Sequence, residues 1–207
     1  MNEQIVTVIS SISRWNEVKK DKEKVFSLWQ QCSSFKVILP PFSNCKDNFH
    51  IYFGVQENKQ TMSDTIVMHI ISDYNDNPEL IKNFENAEDY IFSIVLDNKI
   101  GSEPAEIDEA EARRRIIAWQ NPEILKEYLE KNEAYDVFSI GKDDFLLENG
   151  YLAYFGMKFN KNQITTYSPD LIIQNNSPEH SATYYDLARI CPPYGTESLF
   201  GLQDLSS

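Results

Sequence analysis

The amino-acid sequence predicts an α+β fold, an antiparallel or mixed sheet with N-terminal and central helices packed on it. Three observations predict it. Apolar residues recur at helical spacing over 3–18 and again across 108–131. The stretches between are short alternating or apolar runs bounded by turn residues, as strands are. The last third carries Asn149-Gly150 and Asn160-Lys161-Asn162, turn signals that join consecutive strands antiparallel. The 207 residues read as a single domain over 1–207, with an irregular C-terminal segment from about 175. A chain of this length buries roughly 70% of its unfolded surface, so it needs no disulfide or metal to hold a core.

The first helix carries the stripe Ile5, Val8, Ile9, Ile12 and Trp15. That stripe fails at Lys19 and Lys22. Asp21 can cap a second helix with the stripe Val25, Leu28, Trp29 and Cys32. Phe35–Leu39 is a short strand closed by Pro40-Pro41, which cannot continue a ladder. In Phe49–Val55, Phe49, Ile51, Phe53 and Val55 face one way and His50, Tyr52 and Gly54 the other. The polar stretch Gln56–Asp64 joins it to the apolar run Thr65–Ser72 as a loose hairpin. A short helix fits Asn77–Ala87, with Asn77 as cap and Pro78 in the first position. Tyr90–Leu96 is a further strand. In 108–131 a helix pair is expected, broken at Asn121-Pro122. Glu109–Arg113 and Glu111–Arg115 form acid-first i,i+4 pairs, and Ala110, Ile117 and Ala118 are placed toward the core. The second helix of the pair has the stripe Ile124, Leu125, Tyr128 and Leu129. Tyr135–Ile140, Phe145–Glu148, Tyr151–Phe159, Gln163–Tyr167 and Leu171–Gln174 complete the strands. Beyond Asn175 the pattern dissolves, with a helical turn or two expected in Tyr184–Ile190 and a turn at Cys191-Pro192-Pro193-Tyr194-Gly195.

Charge narrows the function classes. The chain holds 19 basic and 32 acidic side chains, a formal net charge of −13. Both halves share it, with −5 over 1–103 and −8 over 104–207. The basic clusters Lys19, Lys20, Lys22, Lys24 and Arg113, Arg114, Arg115 are interleaved or flanked by acids. Nucleic-acid affinity comes largely from Lys and Arg displacing phosphate counterions. Nucleic acid and anionic membranes are therefore not expected as partners. Solubility accounts for the acidity in the ordinary way, and a basic protein is the partner that it would steer. No apolar run approaches the roughly 20 residues of a spanning helix, and the start of the chain lacks a secretory pattern. The cysteines Cys32, Cys45 and Cys191 are odd in number and show no CxxC spacing. They suit a reducing compartment, and the expected location is cytoplasmic. Asn175-Asn176-Ser177 is then a chance match to a glycosylation sequon.

Phosphate-cradling, zinc-protease and nucleophile-elbow signatures are absent. Gly141-Lys142 follows a strand without the upstream glycine of a phosphate loop and reads as a turn. Asp73-Tyr74-Asn75-Asp76-Asn77 has the oxygen spacing of a calcium loop, but Pro78 stands where Gly belongs and Phe84 where the bidentate Glu belongs, so it reads as a capped turn. His50 and His69 lie on neighbouring strands, with Cys45 and Asp47 nearby, in a spacing that fits no zinc pattern. No metal and no cofactor are expected.

Two further sets remain. His180, Asp186 and Cys191 fall within a dozen residues and supply the types of a base, an orienter and a nucleophile. Their spacing alone does not make a site, since such sets assemble in space. Tyr184, Tyr185 and Tyr194 belong to a tyrosine-rich C-terminal half. Cross-strand packing explains such residues by default, and any that face solvent would mark a binding surface. The expected function is a non-catalytic acidic domain that binds a protein, in the manner of an inhibitor or adaptor. One alternative is a small hydrolase or transferase using His180, Asp186 and Cys191. The other is a small-ligand or carbohydrate-binding module.

Overall fold

Alternation along Phe49–Val55 puts aromatic and branched side chains on one face of a strand and His50, Tyr52 and Gly54 on the other, and the fold is built around that division. The structure is a computed structural model. It describes residues 1–40, 48–58, 63–96, 110–140, 151–159, 167–175, 183–185, 189–191 and 200–206, with the backbone course alone for 151, 175, 183–185 and 189–191. The fold is α+β, with helices packed on two antiparallel sheets. One sheet has four strands in the order β1 (Ser34–Val37), β6 (Tyr151–Phe159), β7 (Tyr167–Asn175), β8 (Thr183–Tyr185). The other has five, in the order β4 (Ile91–Val95), β3 (Ser63–Ser72), β2 (Phe49–Asn58), β5 (Val137–Ile140), β9 (Arg189–Cys191).

The two sheets share one core. Phe49, Ile51, Phe53, Ile66, Met68 and Ile70 of the five-stranded sheet meet Phe35, Val37, Ala153, Phe155, Leu171 and Ile173 of the four-stranded one. Helix α2 (Lys22–Trp29) and helix α5 (Pro122–Lys131) close the side of this core with Val25, Leu28, Trp29, Leu125 and Leu129. The outer faces are covered separately. Helix α1 (Glu3–Val18) sets Ile5, Val8 and Ile12 against Tyr52, Ile71 and Ile91. Helix α4 (Ala110–Gln120) sets Ala112 and Ile116 against Tyr154 and Ile172.

Local signals explain the helix starts. Asn2, Asp21, Asn77 and Asn121 each accept a backbone N–H of the first turn, and Pro78 and Pro122 open the helices α3 (Pro78–Ile81) and α5. Glu111 and Arg115 pair at 2.9 Å as expected; Glu109 lies outside the described residues. The buried stripe of α4 differs from the expected one. Ala112, Ile116 and Trp119 face inward, while Ile117 is 58% exposed and Ala110 is exposed. Trp119 decides the phase, because its ring stacks on Phe155 at 5.1 Å and its N–H donates to the Cys32 carbonyl at 2.7 Å.

Two strand expectations also change. The expected strand at 145–148 and residues 163–166 lie outside the described residues; Tyr151–Tyr154 is paired with β1 and with β7. Leu171–Gln174 is part of one strand that starts at Tyr167 and includes Pro169 opposite Met157. Strand β8 borders β7 only at Ile173–Asn175, so among the described residues no second neighbour requires an N–H from Pro169. The segment from 175 onward holds β8, β9 and the helix α6 (Gly201–Ser206), and strand backbone occupies the ends of Tyr184–Ile190 where a helical turn is expected. Pairing of β8 with its neighbour β7, and of β9 with the distant β5, supplies the order that local pattern lacks.

Helix α6 is held by Asp76. This buried carboxylate accepts from His50 Nδ1 at 2.6 Å, from the Tyr52 hydroxyl, and from the Leu202 amide at 2.9 Å. Phe200 stacks on His50 with ring centroids 4.8 Å apart. Ser13 donates to the Ser206 carbonyl at 2.7 Å. The approach leaves no room for a side chain at Gly201, where a Cβ would stand 2.8 Å from backbone atoms of Asp76 and Asn77. Gly201→Ala is therefore expected to destabilise the protein by about 1–3 kcal/mol and to speed hydrogen exchange at the Leu202 amide, both measurable by urea unfolding and exchange mass spectrometry.

Candidate functional site

The described residues do not fully cover the outer face of the five-stranded sheet. Helix α1 lies over β2, and between it and the edge strand β4 runs an open cleft of about 880 Å³. Its floor is formed by Val67 and His69 of β3 and Ser93 and Val95 of β4; its walls include Val6, Thr7 and Ser10 of α1 and Glu88. The strand register explains the floor. His69 stands opposite Ser93, and Val67 opposite Val95. In a pleated strand these alternate positions share one face.

His69 is the chemical centre of the cleft. Its Nε2 lies 2.6 Å from Ser11 Oγ and its Nδ1 lies 2.7 Å from Ser93 Oγ. Ser11 is buried in the apolar stripe of α1, whereas Ser93 is exposed to the cleft. Burial lowers the pKa of His69 to about 3, because a desolvated imidazolium has lost its hydration without gaining a carboxylate. The close approach of helix and strand depends on Gly54 of β2. A Cβ there would meet Ser11 Oγ at 2.5 Å and His69 Nε2 at 2.9 Å.

Two ends bound the cleft. At one, Gln4 Nε2 donates to Glu88 Oε1 at 2.9 Å. At the other, Arg14 pairs with Asp64, which also holds Lys24 Nζ at 2.5 Å. Arg14, the only cation among the described residues of the lining, is thus engaged by an acid. Val6 and Val95 leave 47% and 42% of their surfaces exposed at the mouth.

The arrangement has a serine, an imidazole and a second hydroxyl in series, the order of a nucleophile, a base and an orienter. It lacks what makes such a series catalytic. A general base works best with a pKa near the working pH, and the pKa of His69 is several units below that. An orienting carboxylate normally stabilises the imidazolium as it forms; a hydroxyl stands in that place.

Of the residues singled out from sequence, Cys191 lies in β9 opposite Val137, and Tyr184 and Tyr185 lie in β8 opposite Gln174 and Ile173. These strands belong to different sheets. His180, Asp186 and Tyr194 lie outside the described residues, as do Cys45, Asp47 and Gly141-Lys142. His50 and His69 share a face but serve different partners, Asp76 and the two serines. Among the described residues no cluster of three or more His, Cys, Asp or Glu could hold a metal ion. In the calcium-like stretch, Asp76 points into the core, and Asn77 caps α3. Cys32 is buried, its thiol donates to the Leu28 carbonyl at 3.4 Å, and burial pushes its pKa up, which suits a packed side chain and not a nucleophile.

The cleft was missed in sequence, although two signals mark it. Ser11 interrupts an apolar helical stripe, and Gly54 interrupts a strand, where glycine often marks a close backbone approach. No described helix is long and apolar enough to cross a membrane. No family model, curated protein or solved structure matches the chain.

Two measurements check this geometry. Since His69 stays neutral when folded and takes a proton near pH 6.5 when unfolded, stability should fall as pH falls below 6.5 toward the folded value of about 3. The loss from His69 between pH 6.5 and 5 should be roughly 1.5 kcal/mol, seen in urea unfolding as a steeper pH slope for the wild type than for His69→Gln. Gly54→Ala is expected to cost about 1–3 kcal/mol at pH 7, and Ser11→Ala in the same chain to recover part of it.

Proposed function

We propose that this protein is a non-catalytic binding module whose ligand site is the cleft between α1 and β4. The observation that carries the reading is His69, fixed between Ser11 and Ser93 at the floor of a mainly apolar cleft. An apolar concavity with a few placed polar groups is the usual form of a small-ligand site. The same imidazole is a poor base, which argues for recognition over turnover.

The neutral apolar dye N-phenyl-1-naphthylamine tests the site. A saturable rise in its fluorescence is expected with the wild type. Val95→Trp, which sets an indole across the floor, should weaken it roughly tenfold. No saturable signal, or an unchanged one in Val95→Trp, would count against the cleft. A fluorophosphonate, which labels base-activated serines, should leave Ser93 unmodified. Labelling there would favour a hydrolase.

A second reading, docking on a basic protein, is supported by the net charge of −13. Exposed acids on α1, α2 and α5, such as Glu17, Glu23 and Glu127, are spread over the surface, so the cleft is the more specific support. Salt-dependent capture of one basic protein would favour docking. The hydrolase or transferase alternative through His180, Asp186 and Cys191 rests on residue types and is met by Cys191→Ala, which should leave any activity intact under the binding reading. Nucleic acid and anionic membranes stay outside the proposal on grounds of charge. A reducing, cytoplasmic setting belongs to it, supported by the unpaired, buried Cys32.

A further inference from the structure

The protons in the cleft can be assigned one by one, and they define the ligand's head group. Ser11 Oγ lies 2.7 Å from the Val8 carbonyl. A carbonyl has no proton, so Ser11 donates its only one there. In its 2.6 Å contact with His69 Nε2, Ser11 can then only accept, and Nε2 carries the ring proton. The imidazole is neutral, so Nδ1 is bare. The 2.7 Å contact between Nδ1 and Ser93 therefore uses the Ser93 proton.

Ser93 is exposed on the floor of the cleft with lone pairs alone to offer. Thr7 on the facing wall is in the same condition, since its hydroxyl donates to the Glu3 carbonyl at 3.0 Å. Glu3 and Glu88 add carboxylates to the lining. Around this end Ser93, Thr7 and the carboxylates of Glu3 and Glu88 present acceptors, and the donor Gln4 Nε2 is turned to Glu88 at 2.9 Å, above an apolar surface of Val6, Val67 and Val95.

From this we infer that the cleft takes a small apolar molecule headed by a hydrogen-bond donor, a hydroxyl or a protonated amine set on Ser93 Oγ, and discriminates against the same body headed by an ether or ketone oxygen. The inference rests on the cleft reading above. An acceptor head would face the lone pairs of Ser93 or force its proton away from His69, leaving Nδ1 without a partner.

The test uses a matched pair, 3-phenylpropan-1-ol and its methyl ether, titrated into the full chain while the backbone amides of Val67, His69, Ser93 and Val95 are followed by NMR. The alcohol should bind about fivefold tighter than the ether, the difference one hydrogen bond makes. Ser93→Ala should bring the two within about twofold, by weakening the alcohol and relieving the ether, and Ser93→Thr, which keeps a hydroxyl, should restore the preference. Amides remote from the cleft report whether each variant is folded. If both compounds bind the wild-type cleft equally, or the preference survives in Ser93→Ala, the donor-head inference is wrong and the cleft reading stands. If neither compound moves the cleft amides up to its solubility limit, the cleft reading fails and this inference with it.

Discussion

Strand β2 is buried on both faces from Phe49 to Val55, and the rest of the molecule answers that constraint. A sheet strand with two buried faces needs a cover on each side. On the inner side the cover is the second sheet, with Phe35 and Phe155 meeting Phe53 and its neighbours. On the outer side it is α1. A helix is about 10 Å across, whereas five strands at about 4.8 Å spacing span roughly 19 Å. One helix cannot cover that width. Helices α3 and α6 extend the cover toward β5, with Ile81 and Leu202 packing beside Tyr52 and Val137. Nothing among the described residues does the same over Ser93 and Val95, so the cleft is the uncovered remainder of the sheet.

The polar groups on this outer face follow from the same geometry. A helix that crosses a sheet closely needs a small residue beneath it, and Gly54 is that residue. The space it leaves is used by Ser11 and His69, two polar side chains that satisfy each other within an apolar layer. Buried polar groups with partners are tolerated; without them each costs about 1–3 kcal/mol. The His50–Asp76–Tyr52 set is a second instance on the same face. One set lies under a helix and ends in the open at Ser93. The other is capped by the backbone of α6 and by Phe200. The difference in cover separates a candidate site from a structural anchor.

Much of the fold was legible because its signals are local. Asp21, Asn77 and Asn121 cap the helices that follow them, and the alternation of Phe49–Val55 is the division between core and outer face. The phase of α4 was not legible. Three consecutive arginines leave several apolar stripes open, and the contact of Trp119 with Phe155 that selects among them is set by packing. Strand β9 was not legible either, since its partner Val137 is 54 positions from Cys191 in the chain. The cleft depends on Ser11, Gly54, His69 and Ser93, four residues from four elements. Each is ordinary alone. Gly54 and Ser11 were visible as interruptions of a pattern, but an interruption does not reveal what will meet it.

The bond between Ser13 and the Ser206 carbonyl joins positions 193 apart in sequence, and Asp76 meets Leu202 across 126. That separation imposes an order in time. The β2–β3 hairpin closes over a short stretch of chain, while the part of its outer cover that α6 supplies comes from 126 positions beyond Asp76. Until α6 docks, Tyr52 and Ile71 lie under α1 with one flank open. Contacts so distant in sequence slow folding and lengthen the life of states that expose apolar surface. Aggregation is thus favoured on the flank that α6 closes for as long as that helix is undocked.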